Sequence, residues 1–394
     1  MIKPALTTLA WLAVSFSMTI GVQLHAQPLI PAAPELAASA WLLIDAKTGS
    51  VLAEKNADEQ LPPASLTKMM TAYIVSHEIQ AGRLTEEETT IVSENAWRKG
   101  GASSGGSTQF LPPNEPAKII DLLRGVIVQS GNDASIALAE HIAGGEDTFA
   151  DVMNQQAQVL GMHSTHFANA TGLPDASHRT TARDLGKLAT AIVNDHPEHY
   201  GIYSEKYFEY NDIRQPNRNQ LLWQGSSIDG LKTGHTNEAG YCLVASGERN
   251  GMRLISVVMG TRSERARSTE SQKLLSWGFR YYVTHKLYDA GHILDTQKIW
   301  KAKQDNVDLG VAENIYLTIP RGAEDLLNAT MSVPDRLEAP LVRGEQIGSL
   351  EITYQDQPIL DTPIVIASEI ERAGFFSRLW DSIVLLVMGL FGRA

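Results

Sequence analysis

Three short strings constrain this 394-residue chain more than any other feature of its sequence. They are Ser65-Leu66-Thr67-Lys68, Ser130-Gly131-Asn132 and Lys232-Thr233-Gly234. In this order they supply two serine hydroxyls, two lysine amines, an amide and the start of a strand-like run. Each string alone is weak, because a chain of this length contains a Ser-x-x-Lys or a Ser-x-Asn about once by chance. Their order and their flanking residues must therefore decide whether they matter.

The chain also contains a second copy of two of these strings. Lys47-Thr48-Gly49 lies between two apolar runs, which is the pattern of a β-hairpin, so we interpret it as a turn. Ser93-Glu94-Asn95 is typical of a helix cap. The remaining copies have other flanks: Ser130 follows an apolar run, and Lys232 precedes the strand-like run 240–246.

The N-terminus, the cysteine content and the charge limit the class of protein. Lys3, the apolar stretch 5–22 and Ala26 predict a secretory signal over residues 1–26. An uncleaved N-terminal anchor is the alternative. Cys242 is the only cysteine, so no intrachain disulfide can form and the fold must depend on core burial. The formal net charge of -12 disfavours binding to nucleic acid.

Hydrophobic periodicity gives a coarse order of elements. A helix is predicted over Ser65–Ile79, and it places Ser65 and Lys68 on one face because they are three residues apart. Further helices are predicted over 121–129, 133–142, 181–193 and 269–282, and strands over 240–246 and 253–259. After about residue 285, short β-type runs separated by Pro, Gly and Asp predict a small all-β domain of the sandwich kind.

The chain ends in an apolar segment over residues 374–392. Its first half is amphipathic, with Ser377, Arg378, Asp381 and Ser382 on one side. A membrane-spanning helix needs about 20 apolar residues, and this segment is too short. We therefore expect a helix that lies in a membrane interface. Docking against the β-domain is the alternative.

The three strings fit the chemistry of nucleophilic serine catalysis. A serine hydroxyl needs a base to take its proton, and Lys68 can do so if burial or a second cation lowers its pKa. We expect Lys232 to be that cation. Ser130 can relay a proton, and the amide of Asn132 can hold a peptide-like substrate. Thr233 and Lys232 suit a substrate that ends in a carboxylate.

At this point the chain resembles the penicillin-binding enzymes, in particular the D-alanyl-D-alanine carboxypeptidases of the penicillin-binding protein 5 and 6 kind. The resemblance rests on the strings together with several further segments and with the order of parts. These segments are Gly230-Leu-Lys-Thr-Gly-His-Thr236 with Gly240-Tyr241, Leu221-Leu-Trp223, Ala182-Arg-Asp184 and Leu317-Thr-Ile-Pro-Arg-Gly322.

The resemblance implies an exported protein that is built from four parts. It consists of the signal peptide 1–26, an α/β (α+β) catalytic domain with a central antiparallel sheet over 27–285, a β-sandwich over 286–372 and a membrane-anchoring amphipathic helix over 373–394. The implied location is the periplasmic side of the cytoplasmic membrane, attached to its outer leaflet through residues 374–394. The implied activity is removal of the terminal D-alanine from peptidoglycan stem peptides ending in D-Ala-D-Ala, without cofactor or metal. β-Lactams are then covalent inhibitors, and the implied processes are peptidoglycan biosynthesis, cell-wall biogenesis and control of cell shape.

The resemblance also implies roles for individual residues. Ser65 is then the acylated nucleophile, and the N–H groups of Ser65 and His235 form the oxyanion hole. Arg218 resembles a carboxylate-binding arginine, although one residue is missing between it and Lys232. Thr171 stands where close relatives have His, and residues 100–107 correspond to a loop bordering the site. The implied catalytic residues are Ser65, Lys68 and Ser130, and the implied substrate-binding residues are Asn132, Lys232, Thr233, Gly234, His235 and Arg218.

Four other functions remain as alternatives. A class A β-lactamase needs a carboxylate to activate the deacylating water, and no Glu-x-x-Leu-Asn string lies between Asn132 and Lys232. A D,D-endopeptidase differs only in cleft shape, and a catalytically idle envelope-binding protein would not react with penicillin. A metalloenzyme would have to use the pairs His163/His166 or His196/His199, which lack an acidic partner pattern.

Overall fold

The structure is a computed structural model that describes residues 30–390 with the exception of Ser226. The predicted signal over 1–26 therefore lies outside the described residues. The strands are β1 (Ala40–Asp45), β2 (Val51–Lys55), β3 (Thr89–Ile91), β4 (Pro116–Lys118), β5 (Tyr207–Tyr210), β6 (Ile213–Pro216), β7 (Ile228–Thr236), β8 (Gly240–Arg249), β9 (Met252–Thr261), β10 (Tyr282–Tyr288), β11 (Ile293–Trp300), β12 (Asn306–Gly310), β13 (Ile315–Pro320), β14 (Leu327–Ser332), β15 (Leu337–Glu338), β16 (Gln346–Tyr354) and β17 (Gln357–Ile366). The helices are α1 (Lys68–Gln80), α2 (Glu94–Gly100), α3 (Ile119–Arg124), α4 (Asn132–Ala143), α5 (Glu146–Val159), α6 (Ala182–Asp195), α7 (Pro197–Tyr200), α8 (Glu264–Tyr281) and α9 (Phe375–Leu390).

A five-stranded antiparallel sheet in the order β2-β1-β9-β8-β7 forms the centre of the first part. β1 is buried along its whole length because a core lies on each face of the sheet. Alternate side chains of a strand point to opposite faces. Leu42 and Ile44 accordingly join a core with α1 and α3 to α6, whereas Trp41 and Leu43 pack with α8. The expected α/β fold with a central antiparallel sheet is confirmed.

Most of the predicted helices and strands are present, but two helices differ in their bounds. α8 begins at Glu264, five residues before the predicted start, because Ser263 Oγ accepts a hydrogen bond from Ala266 N and caps it. The charged first turn of this helix has no apolar periodicity that could reveal it. The helix predicted over 121–129 is α-helical only to Arg124, and residues 125–129 form a π-helical turn.

The second part is an all-β domain, as predicted. A six-stranded sheet has the order β14-β16-β17-β12-β11-β15, and β10 pairs with β13 separately. Its core is a single apolar cluster that includes Leu309, Leu350 and Ile364. More strands are present than the three runs that the sequence made visible, because β11 and β14 are largely exposed and carry many polar residues.

The two parts meet at the turn between β1 and β2. Asp45 is fully buried there, and its carboxylate accepts hydrogen bonds from Thr284 Oγ1 at 2.5 Å and Thr318 Oγ1 at 2.8 Å. Thr48 Oγ1 lies 2.5 Å from the same Thr318 hydroxyl. The early Lys-Thr-Gly string is thus the predicted turn, and it contacts the second domain.

The C-terminal helix α9 contacts the β-domain through its polar side. Asp381 Oδ2 accepts a hydrogen bond from Lys301 N at 2.7 Å. Its large apolar side chains are exposed, and Phe376 is 82% exposed. The exposed set is Phe375, Phe376, Leu379, Trp380, Ile383, Leu386, Val387 and Met388. Among the described residues, no helix combines the length and apolarity that crossing a membrane requires.

Candidate active site

Ser65 lies in a strained turn that leads into α1. It belongs to a 3₁₀ turn over Ala64–Thr67, and Ala64 has φ 48°, in the left-handed region that non-glycine residues rarely adopt. A Cβ on residue 172 would lie 1.8 Å from Ala64 O, and one on residue 234 would lie 3.1 Å from Pro63 O. Gly172 and Gly234 therefore allow two segments to pack closely against the turn, which holds it in this conformation.

Lys68 is fully buried, and its amine touches three oxygen atoms. Nζ lies 3.1 Å from Ser65 Oγ, 2.7 Å from Asn132 Oδ1 and 2.6 Å from Thr171 O. The pKa of Lys68 is lowered from 10.5 to about 7, mainly by burial; Asp133 and Glu146 oppose the shift, and the charge of Arg218 contributes to it. The neutral amine is thus well populated at neutral pH.

These contacts direct the lone pair of the neutral amine toward Ser65. A neutral lysine has two N–H groups and one lone pair. The carbonyl oxygens of Asn132 and Thr171 can only accept hydrogen bonds, whereas the hydroxyl of Ser65 can donate one. With both N–H groups bonded to the two carbonyls, the lone pair faces Ser65 Oγ. This is the geometry that a base needs to remove the serine proton.

Lys232 is a second buried cation beside Lys68. Burial, followed by the charge of Lys68, lowers the pKa of Lys232 well below its usual value. Arg218 is a further nearby charge that contributes to lowering the pKa of Lys68. The expectation that Lys232 lowers the pKa of Lys68 stays a prediction.

Ser130 and Asn132 form a second wall of the site. Ser130 has φ 62° and follows the π-helical turn, and its buried Oγ has no hydrogen-bond partner among the described residues. This hydroxyl can therefore form a hydrogen bond with a substrate or relay a proton. Asn132 N donates to Ser107 O at 2.8 Å, and a Cβ on Gly106 would lie 2.5 Å from Asn132 Nδ2. The glycine-rich segment therefore packs against Asn132 and borders the site, as predicted.

Asp133 is a structural residue that the sequence interpretation missed. Its fully buried carboxylate accepts hydrogen bonds from Gln109 N at 2.9 Å, Leu111 N at 3.1 Å and Thr108 Oγ1 at 2.7 Å. It thereby joins the segment after the glycine-rich loop to the start of α4. The one sequence signal for this role was the position of Asp133 directly after Asn132.

The third wall is β7, the edge strand of the central sheet. One side of β7 pairs with β8, and the other side borders the turn that carries Ser65. Thr233, Gly234 and His235 line the cleft, but Lys232 is 2% exposed and lies behind this wall. An edge strand has unpaired backbone groups that can bond to an extended peptide.

A cleft of about 340 Å³ connects these walls. Arg218 lines it, so the missing residue before Lys232 does not displace this arginine from the site. Arg267 of α8 also lines it; its Nη1 donates to Gly234 O at 3.3 Å, and its Nη2 lies 3.4 Å from Glu264 Oε1. Sequence reasoning missed Arg267 because it lies before the predicted start of that helix. The lining residues are Ser65, Gly105, Gly106, Ser107, Ser130, Asn132, Thr171, Gly172, Leu173, Arg218, Thr233, Gly234, His235, Thr236, Tyr241, Glu264 and Arg267.

Comparison with known proteins matches both parts of the chain to families. Residues 27–263 match the D-alanyl-D-alanine carboxypeptidase family of S11 peptidases, and residues 282–372 match the C-terminal domain of penicillin-binding protein 5. The chain belongs to the D-alanyl-D-alanine carboxypeptidase family. The D-alanyl-D-alanine carboxypeptidase DacC of Escherichia coli (strain K12) is 42% identical over 363 residues, which cover 91% of each chain.

Solved structures agree with this membership. Penicillin-binding protein 5 of Haemophilus influenzae superimposes with a TM-score of 0.82 at 39% identity, covering 87% of this chain and all of that one. Penicillin-binding protein 6B of Escherichia coli gives a TM-score of 0.72 at 35% identity and covers 86% of this chain and 99% of that one. The resemblance inferred from the three strings is confirmed at the level of the family and the fold.

Within this carboxypeptidase fold, the predicted site residues converge on one cleft. Ser65, Ser130, Asn132, Arg218 and the residues 233–235 all line it. Lys68 is buried beneath the cleft and makes hydrogen bonds with two of these residues, Ser65 and Asn132. The histidines of the metalloenzyme alternative do not line this cleft: His196 packs against Tyr73 in the middle of α1.

Proposed function

We propose that this protein removes the terminal D-alanine from peptidoglycan stem peptides ending in D-Ala-D-Ala, through an acyl-enzyme on Ser65. The observation that supports this most directly is the 3.1 Å contact between Lys68 Nζ and Ser65 Oγ, together with a pKa of about 7 for that lysine. A base with a pKa near the working pH combines sufficient neutral fraction with sufficient basicity.

In the proposed acylation step, Ser65 Oγ attacks the carbonyl carbon of the penultimate D-alanine while Lys68 takes the hydroxyl proton. The backbone N–H groups of Ser65 and His235 bind the oxygen that becomes negative. The C–N bond then breaks, and the leaving amine of the terminal D-alanine receives a proton from Lys68 by way of Ser130. In deacylation a water molecule attacks the ester carbon and gives its proton to Lys68. Lys68 then protonates Ser65 Oγ as the C–O bond to the peptide breaks, which releases the peptide and restores the neutral amine.

The free carboxylate of the terminal D-alanine is proposed to bind at Arg218 and the hydroxyl of Thr233. Both line the cleft, and Arg218 is exposed, so its guanidinium can pair with the ligand. Lys232 lies behind Thr233 and contributes through its charge rather than by contact. When the carboxylate binds, its negative charge opposes the burial that lowers the pKa of Lys232.

We further propose that the protein is exported and attached to the outer leaflet of the cytoplasmic membrane. The pattern over residues 1–26 supports export. The exposed apolar face of α9 supports attachment, because each large apolar side chain that enters lipid contributes about 1.5–3 kcal/mol. At this location the activity would act in peptidoglycan biosynthesis, and hence in cell-wall biogenesis and cell shape.

Incubation with a pentapeptide that ends in D-Ala-D-Ala tests the function. Release of free D-alanine is expected, with no cross-linked dimer. Benzylpenicillin should give a mass adduct on the peptide that contains Ser65, and Ser65→Ala should lose both reactions while keeping its thermal midpoint. An adduct on another serine would refute the role of Ser65, and cleavage of cross-linked peptides alone would favour the endopeptidase.

A further inference from the structure

The loop Asn169–Leu173 owes its shape to one side chain. Asn169 Oδ1 accepts three hydrogen bonds, from Gly172 N at 2.8 Å, Thr171 Oγ1 at 2.9 Å and Thr171 N at 3.1 Å. Its Nδ2 donates to Leu173 O at 3.0 Å. The amide of Asn169 therefore bonds to three successive residues of the loop, and both of its polar atoms are used.

The Thr171 side chain belongs to the same network. Its Oγ1 donates to Asn169 Oδ1 and accepts from Leu173 N at 3.2 Å. Both bonds of the hydroxyl are thus made within the loop, and none is made to Lys68. Thr171 therefore stabilises the loop together with Asn169.

The loop touches the reacting groups at two points. Thr171 O accepts the 2.6 Å hydrogen bond from Lys68 Nζ, and Gly172 presses against Ala64, the residue before Ser65. Ala170 O is fixed separately, by a bond of 2.8 Å from Thr71 Oγ1 of α1. The Ala170 contact ties the loop to α1, but it leaves the peptide that carries Thr171 O to be oriented by Asn169.

We propose that Asn169 is a positioning residue for acylation, which fixes Thr171 O and through it the direction of the Lys68 lone pair. This inference rests on the proposed role of Lys68 as the base for Ser65. If the Thr171 carbonyl turns away, the amine loses one of its two fixed acceptors. It can then rotate and donate an N–H to Ser65 Oγ, and that arrangement cannot remove the serine proton.

Two substitutions of Asn169 separate the effect of the loop conformation from the effect of a charge near Lys68. Asp133 and Glu146 raise the pKa of Lys68, Arg218 lowers it, and Lys232 is the neighbouring buried cation. Asn169→Asp keeps an oxygen that can accept all three hydrogen bonds and adds a negative charge to the loop whose Thr171 O touches Lys68. Asn169→Ala removes the oxygen and adds no charge.

The experiment measures acylation of the full chain by benzylpenicillin at several concentrations and pH values, which separates the limiting rate constant from the binding constant. Asn169→Ala should lower the limiting rate constant about 10- to 100-fold and change the binding constant little, since misplacing a reacting group costs rate rather than affinity. Asn169→Asp should recover most of the limiting rate constant at high pH. The pH below which its rate constant falls should be higher than in the unmodified protein. Thr171→Val removes one of the three bonds to Asn169 Oδ1, together with the bond from Leu173 N, but keeps the bond from Gly172 N, and should give a smaller loss of the same kind.

Asn194→Ala is the matched control, because its amide likewise bonds to a backbone carbonyl, that of Ala46 at 3.1 Å, but far from the site. It should acylate at the rate of the unmodified protein even if its thermal midpoint falls. The proposal is overturned if Asn169→Ala acylates normally, or if its loss lies only in binding. It is also overturned if Asn169→Asp is as slow as Asn169→Ala at every pH. If Asn169→Ala does not fold, the limiting rate constants of Asn169→Asp and Thr171→Val decide whether the proposal holds. An unmodified protein that never acylates would instead refute the proposed function.

Discussion

The pKa of Lys68 leads to a quantitative prediction for the pH dependence of acylation. A shift from 10.5 to about 7 corresponds to about 5 kcal/mol, at about 1.4 kcal/mol for each pH unit. At pH 7 about half of the lysines are then neutral, against roughly one in 3,000 for a lysine in water. The second-order rate constant for acylation by benzylpenicillin should therefore follow an acid limb with a midpoint near pH 7 and fall about 100-fold between the plateau and pH 5.

Two substitutions should move this limb in opposite directions. Arg218→Gln removes a charge that lowers the pKa of Lys68, so the midpoint should rise. Glu146→Gln removes a charge that raises it, so the midpoint should fall, and Glu146 does not line the cleft. Rate constants measured by stopped flow from pH 5 to 10 give the midpoints. A limb centred near pH 10 in the unmodified protein, or two variants that shift it in the same direction, would refute Lys68 as the base.

Three further predictions concern the carboxylate, the acid stability and the tail. A stem peptide amidated at its terminal D-alanine should be cleaved far more slowly than the acid, and Arg218→Gln should abolish this preference; equal rates on the two peptides would exclude a carboxylate subsite. Burial lowers the pKa of His178 from 6.5 to about 4, so the folded state binds fewer protons than the unfolded state in that window. The free energy of unfolding should accordingly fall by about 3 kcal/mol as the pH drops from 6.5 to 4, and urea titrations of His178→Gln should lack this part of the fall. A chain that ends at Ala373 should react fully with penicillin and leave the membrane fraction, while the full chain should stay bound in high salt; a truncated chain that still sediments with membranes would place the anchor elsewhere.

The sequence predicted the catalytic strings well because each of them is local. Ser65 and Lys68 share one turn of chain, and the residues 233–235 share one strand, so spacing alone places their side chains together. The fold class was predictable for the same reason, since the apolar run of β1 and the periodicity in α6 are local patterns. The bounds of α8 were missed because its first turn is charged and depends on the cap at Ser263.

Contacts between distant segments were not predictable from the sequence. The burial of Lys232 depends on how β7 packs against the turn before Ser65, and the sequence does not show which face of this strand borders the cleft. Asp133 bonds to backbone atoms of another segment and Asn169 to those of its own loop, so the residue type of either carries little information by itself. Arg267 reaches the cleft across the sheet from α8, over a sequence separation of 33 residues from Gly234.

Several locally unfavourable features lie together at the active site, and tertiary contacts explain why the fold keeps them there. Ala64 and Ser130 both have left-handed backbone, and Lys68 and Lys232 are buried cations whose pKa values are lowered. Each feature is destabilising by itself, and such strain persists only where the surrounding structure fixes it. Here the central sheet supplies that constraint through Gly234 of its edge strand, which meets the Ser65 turn at Pro63 while Gly172 meets it at Ala64. Relief of the strain would also remove the alignment of the Lys68 lone pair with Ser65 Oγ, so stability and reactivity are opposed at this turn.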